Sequence, residues 1–279
     1  MVIQEAMVGM GEFTVDKPKS VLLFGPFNNG KKLLCNIIAS ELDAVFMNLS
    51  PEKTVQFEDD LSYFLHVVMK VAKAFQPTIF FINDVHRIFW KKIPPDQEHL
   101  NPKLLQKFLS KKLLKPIKKD DKIMLLGTSD APWSAKKLKK IFQKILLVPQ
   151  SDYGTSFLIW LELMDTNLGD NNVPDYAISS LAKVLQNYNS GDVTDNIAET
   201  LNIRRKMRLS AAPIIPSEFV EYYFANENAP RFPLELKIVE KYNKWFAKSN
   251  KMAIQRRKFL SKPRKGQKKD KNKEKDKKK

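Results

Sequence analysis

Cysteine is almost absent from this chain: Cys35 stands alone among 279 residues, so no internal disulfide can form and a reducing compartment is expected. Histidine is scarce too, and His66, His86 and His99 are too scattered for metal-ligand spacing, so no structural zinc is expected. Long apolar runs are missing. No stretch reaches the roughly 18 uninterrupted apolar residues of a membrane span, and no basic segment leads into an apolar one at the N-terminus. The starting expectation is therefore a soluble, intracellular and cytoplasmic protein without membrane contact. Acidic residues are outnumbered, 31 against 48 Lys and Arg, for a net charge of +17. That excess is uneven, because residues 256–279 carry 14 Lys or Arg against 3 Asp or Glu, and what precedes them is only mildly basic.

What is present is enough apolar material for a real core, at 43% of residues. Short apolar runs at 21–24, 44–49, 78–82, 123–127 and 145–148 alternate with helix-like segments at 31–41, 59–75 and 101–118. All the runs but the second are nearly continuous in apolar residues, as expected of parallel strands buried on both faces. Strands joined by crossover helices predict a three-layer α/β domain over 20–150. Beyond Pro149 the strand signal stops. Segments 153–167, 174–187, 192–208, 216–224 and 234–248 read as helices and predict a small helical domain over 151–250. Residues 1–19 offer little structure and read as a remnant, leaving a longer parent protein or an alternative start open. From about Lys251 apolar residues nearly vanish, and 251–279, ending KGQKKDKNKEKDKKK, reads as a disordered lysine-rich tail that cannot offset its ordering entropy by burial.

The stretch GPFNNGKKLL at 25–34 follows an apolar strand and opens a helix, the arrangement that aims backbone N–H groups at phosphate. Gly25, Gly30 and Lys31 satisfy G-x-x-x-x-G-K, but Lys32 stands where such loops place a Ser or Thr hydroxyl for Mg²⁺. An ammonium has no lone pair to offer a cation, so metal binding there is disfavoured. Lys32 could instead aim its charge at a phosphate and partly replace the ion. Asn28 stands where many such loops carry glycine, and asparagine tolerates a left-handed backbone. The third strand ends in Asn83 and Asp84, where an Asp for the metal shell and a Glu for the attacking water would be needed. If the register slips by one, Val85 takes the base position; either way one function is missing. The same pair also reads as the plain end of a buried strand at a turn.

The order of the 25–32 loop, FFIND, LLGTSDAP, FQKILLVPQSD and a helical region containing NYNSGDV and PSEF resembles the AAA+ ATPase domain with its helical lid, over roughly 20–225. Within that family, the Gly-Lys-Lys loop ending, the altered acidic pair and the WKK after the third strand most resemble the IQ and AAA domain-containing proteins of the ciliary axoneme, including the dynein regulatory complex subunit of that type. The resemblance implies a P-loop NTPase fold and a polar sensor at Asp130, a negative charge where the family ordinarily has Asn. It implies an arginine-finger position at Lys144, which equally reads as a solvated surface lysine. It places the nucleotide-facing part of the lid near Gly191 and Asp192, where no arginine stands. The segment SPEKTVQFEDD offers Phe57 but no aromatic-glycine pair, which disfavours polypeptide translocation.

The resemblance and its departures together imply a degenerate module. ATP or ADP is held by Gly25, Pro26, Asn28, Asn29, Gly30, Lys31, Lys32 and Leu33, while the catalytic positions Asp84, Asn83, Asp130 and Lys144 all depart from the working pattern. Mg²⁺ is disfavoured, hydrolysis is expected to be slight or nil, and the role is structural or regulatory in the axoneme. The alternative is an active ATPase acting as an oligomeric assembly factor; homo-oligomerisation itself is left open. Axonemal or microtubule-associated proteins are the expected partners. The tail at 256–279 suits any polyanion, or simply solvates the chain, and with Phe259 its only aromatic it gives no platform for reading nucleic acid by sequence. RIFWKK, at 87–92, suits either a partner contact or the core.

Overall fold

The computed structural model describes residues 18–260 except 91, 119, 136, 169–174 and 228–233, with the side chains of 175, 176 and 251–260 also outside the description. Five strands, β1 (Ser20–Phe24), β2 (Val45–Asn48), β3 (Thr78–Ile82), β4 (Ile123–Ser129) and β5 (Lys144–Leu147), form one parallel sheet in the order β2-β3-β4-β1-β5. The helices are α1 (Lys31–Glu41), α2 (Pro51–Thr54), α3 (Leu61–Ala74), α4 (Leu104–Phe108), α5 (Leu138–Ile141), α6 (Tyr153–Leu168), α7 (Asp175–Val184), α8 (Ser190–Thr200), α9 (Ile203–Met207), α10 (Ser217–Ala225) and α11 (Leu236–Leu260).

The two-residue period of a strand sorts the core into layers. Leu22, Phe80, Ile82, Ile123 and Leu125 point to one face, where they meet Leu61 and Leu65 of α3 and Leu105 of α4. Val21, Leu23, Ile79, Phe81, Met124 and Leu126 point to the other, against Cys35, Ile38 and Ala39 of α1. Burial pushes the Cys35 thiol up to about 12, so it packs as a small apolar group. A separate cluster built on Trp160, Ile178, Leu181, Ile197 and Phe219 holds α6, α7, α8 and α10 together.

Several expectations change here. The three central strands are buried throughout, but β5, expected to be covered on both faces, is half-buried because it is an edge strand with only β1 beside it. The segment expected as one helix over 101–118 is α4 followed by a π-helical turn through Leu114, which keeps Leu109 and Leu113 buried. The segment 192–208 is two helices, because the Asn202 side chain accepts from the Arg205 amide at 3.0 Å and starts α9 afresh. The last helix does not stop at 248. It runs to Leu260, through a stretch expected to be disordered, since Lys, Met, Ala, Gln and Arg are all good helix formers. Nor does α11 stay with the helical cluster: Trp245 packs edge-on against Phe24 of β1 at 4.7 Å, under the Lys139 ammonium at 4.6 Å.

Candidate functional site

In a parallel sheet the carboxyl ends of the strands share one edge, and ligands bind in the crevice there. The adjacent strands β3, β4 and β1 bring Asn83 and Asp84, Asp130 and the 25–30 loop to that edge. The loop leaves β1 with the Gly25 amide donating to the Ser129 carbonyl at 3.2 Å. Asn28 takes φ 52° and Gly30 φ 69°, the left-handed turns that reverse the chain into α1. Gly30 occupies the N-cap, makes no side-chain capping bond, and no acidic residue follows in the first turn of α1. Such an N-terminus suits an anion.

Lys31 is buried at 6% exposure, whereas Lys32 and Leu33 face outward. The Lys31 ammonium donates to the Gly25 carbonyl at 3.2 Å and to the Pro26 carbonyl, and lies 2.7 Å from Asp130 Oδ1. Its three protons are thus all engaged. The Asp130 backbone carbonyl in turn accepts from the Tyr242 hydroxyl of α11. Burial, followed by the negative charge of Asp130, pushes the Tyr242 phenol up from its ordinary value.

Asn83 is held at both ends: its amide donates to Ser50 Oγ at 2.8 Å and its side-chain oxygen accepts from Thr128 Oγ1 at 2.7 Å. Ser50 Oγ donates onward to Asn48 Oδ1 at 2.6 Å. Asp84 takes φ 45° and pairs with Arg87, whose guanidinium lies 2.6 Å from its carboxylate. Burial pushes the Asp84 carboxyl up, the Asp130 charge adds to this, and Arg87 and Lys31 oppose it. His86 faces Ser129 Oγ at 3.1 Å and is driven down to about 4 chiefly by burial, with Asp130 opposing, so it is neutral at pH 7.

The helical cluster closes onto the loop through the start of α8. The Gly191 amide donates to the Asn28 carbonyl at 2.8 Å, and Asn28 Nδ2 donates to Asp192 at 2.8 Å and to Asp195 at 3.0 Å. Asn29 ties the loop to the exit of β5, donating to the Pro149 carbonyl at 2.6 Å. A side chain at 191 has no room, since its Cβ would lie 2.2 Å from Asn28 Oδ1.

Gly25, Pro26, Asn28, Asn29, Gly30, Lys31, Asn83, Asp84 and Asp130 therefore lie at one edge of the sheet, while Lys32 and Leu33 face outward. Lys144 does not join them: it opens β5 beside Val21, at the opposite end of the strand from the loop. Sequence reading missed Ser50, His86, Arg87, Thr128, Ser129 and Tyr242. Thr128 and Ser129 had a signal, because they immediately precede Asp130 in the stretch that carried the resemblance; Tyr242 had none. Ile88 and Phe89 are buried, so the middle of RIFWKK faces the core, while Lys91 lies outside the described residues. Among the described residues no group of three or more His, Cys, Asp or Glu side chains is placed to hold a metal ion. No helix among them is long and apolar enough to cross a membrane.

Residues 21–150 match the family described as "ATPase family associated with various cellular activities (AAA)". With its parallel sheet and loop, this segment is an AAA domain of three-layer α/β P-loop NTPase fold. Over 246 residues the chain is 33% identical to Dynein regulatory complex protein 11 of Mus musculus, covering 83% of this chain and 27% of that protein. It is 28% identical to Spastin of Drosophila grimshawi over 63% of this chain and 22% of that protein. The chain thus spans about a quarter of the length of these curated relatives. Among solved structures, "Crystal structure of FIGL-1 AAA domain in complex with ADP" aligns with TM-score 0.63 at 19% identity, over 83% of this chain and 78% of that one. The likeness to that structure shows the fold.

Proposed function

We propose that this chain is a degenerate AAA module that holds ATP or ADP but hydrolyses it slightly or not at all, acting as a structural or regulatory part of a ciliary axonemal assembly. The observation that carries the reading is the state of the polar side chains around the loop. The loop amides and the uncapped start of α1 suit a diphosphate or triphosphate, and the Lys31 ammonium stands beside them. Hydrolysis needs more: a carboxylate to orient water, and normally a metal to offset charge on the transferred group. Asn83 is neutral and held by Thr128, Asp84 is paired with Arg87, and Lys32 supplies no oxygen. Mg²⁺, when bound at such loops, draws charge from the phosphates; the residues here do not fit it. The domain boundaries at 20–150, 151–250 and 251–279 belong to the same proposal, with α11 straddling the second and third.

The axonemal assignment rests on the similarity to the mouse dynein regulatory complex protein, and the partners proposed are axonemal or microtubule-associated proteins. Calorimetric titration of ATP and ADP, with and without Mg²⁺, alongside phosphate release, tests the biochemistry. Binding without turnover above background, weakened in Lys31→Ala, is expected. Phosphate release that disappears in Lys31→Ala would instead favour a working ATPase in which Lys144 acts on a neighbouring copy.

A further inference from the structure

We propose that Asp130 acts as a built-in anion in the place a γ-phosphate would take, so that the pocket selects nucleoside diphosphates over triphosphates; this rests on the nucleotide-binding reading above. At the end of such a loop the lysine reaches the β- and γ-phosphates, while the loop amides hold the inner ones. Here that lysine is already matched by a carboxylate supplied by the neighbouring strand β4, at 2.7 Å. The carboxylate is not a loose surface group. Ser129, the residue before it, accepts the Gly25 amide, and the Asp130 carbonyl is held by Tyr242.

The two nucleotides make different demands on the three Lys31 protons. A diphosphate requires only that the ammonium exchange its bonds to the Gly25 and Pro26 carbonyls for the β-phosphate, with the Asp130 bond kept. A triphosphate must also displace Asp130. Its terminal phosphate then shares the site with the Asp130 charge and with Asp84, whose own cation, Arg87, is already engaged. No hydroxyl at position 32 brings in a metal to offset that repulsion. Repulsion between like charges a few ångströms apart in a partly buried site decides the ranking.

Titration of the full chain with ADP and with ATP, in EDTA and again in Mg²⁺, gives the test, with the Asp130→Asn variant alongside and thermal melting to check that it folds. The native chain is expected to bind ADP at least about tenfold more tightly than ATP, a difference of about 1.4 kcal/mol. In Asp130→Asn the ratio should collapse, through gain of ATP affinity rather than loss of ADP affinity. Native ATP binding equal to or tighter than ADP overturns the inference while leaving the nucleotide-binding reading intact, and this comparison needs no variant. A ratio unchanged in a folded Asp130→Asn also overturns it. If neither nucleotide binds, the nucleotide-binding reading itself fails.

Discussion

Removing the Lys31 ammonium should destabilise the protein with no nucleotide present. Lys31 is 6% exposed, and its Nζ serves Asp130, Gly25 and Pro26 together. In Lys31→Ala the Asp130 carboxylate keeps its charge and loses its partner. Deleting one member of a fully buried pair costs about 3–5 kcal/mol, because the remaining charge is stranded. The Asp130 side chain is 25% exposed, so water recovers part of this, and a loss of about 2 kcal/mol is the working figure. Asp130→Asn should cost less, since a neutral amide leaves no stranded anion and the ammonium keeps its two loop carbonyls. The double variant should lose less than the sum of the two, by about 1–2 kcal/mol, because the pair is in direct contact. Urea unfolding of the native chain and the three variants in nucleotide-free buffer measures all four corners of this cycle. With a denaturant slope of about 3 kcal/mol/M, 2 kcal/mol moves the midpoint by about 0.7 M. An unmoved midpoint in Lys31→Ala, or strict additivity in the double variant, would refute the ion pair and with it the engaged state of the pocket.

Two further outcomes follow from the same geometry. Gly191→Ala places a Cβ 2.2 Å from Asn28 Oδ1 and 2.5 Å from the Asn28 carbonyl oxygen, so the start of α8 must lift off the loop. A loss of about 1–3 kcal/mol, typical of overpacking, is expected in thermal melting, with faster hydrogen exchange at the residue 191 amide; unchanged exchange would count against the contact. His86 supplies a pH test. Its folded-state value of about 4 lies below its ordinary 6.5, so on acidification the unfolded chain takes up the proton first. Stability from this group is therefore full above pH 6.5 and is lost as pH falls toward 4, by up to about 3 kcal/mol. Asp84 and Asp192, raised chiefly by burial, act in the opposite sense, favouring the folded state at acid pH and losing that contribution as pH rises through their raised values. The difference between the native chain and His86→Gln isolates the histidine, and identical pH profiles for the two would contradict its burial as a neutral base.

Much of the fold was legible because burial on both faces leaves an unbroken apolar signature, and the runs TIFF, VLLF and IMLL sit in the three central strands. The loop was legible because a left-handed backbone restricts the residues that tolerate it, and Asn28 and Gly30 both take positive φ. Edge strand β5 looked like a central one, since its residues are as apolar as theirs, and only strand order distinguishes them. The break at Asn202 was signalled by a capping residue, but it lay inside an otherwise continuous helical pattern. The placement of α11 was not readable at all, because Tyr242 and Trp245 meet residues more than a hundred positions earlier.

The sequence by itself determined the parallel sheet, the phosphate-type loop and the oddity of Lys32 and Asn83, because apolar runs, backbone tolerance and side-chain chemistry are local properties, while the oddity of Asp130 came from the family resemblance. Only the tertiary structure decided that Asp130 neutralises Lys31, that Arg87 occupies Asp84, that α8 contacts the loop and that α11 holds the Asp130 carbonyl. All but the Asp84–Arg87 pair, three residues apart, join groups that sequence separates widely, and in every case the Coulomb and hydrogen-bond energies that define the site depend on distance and burial.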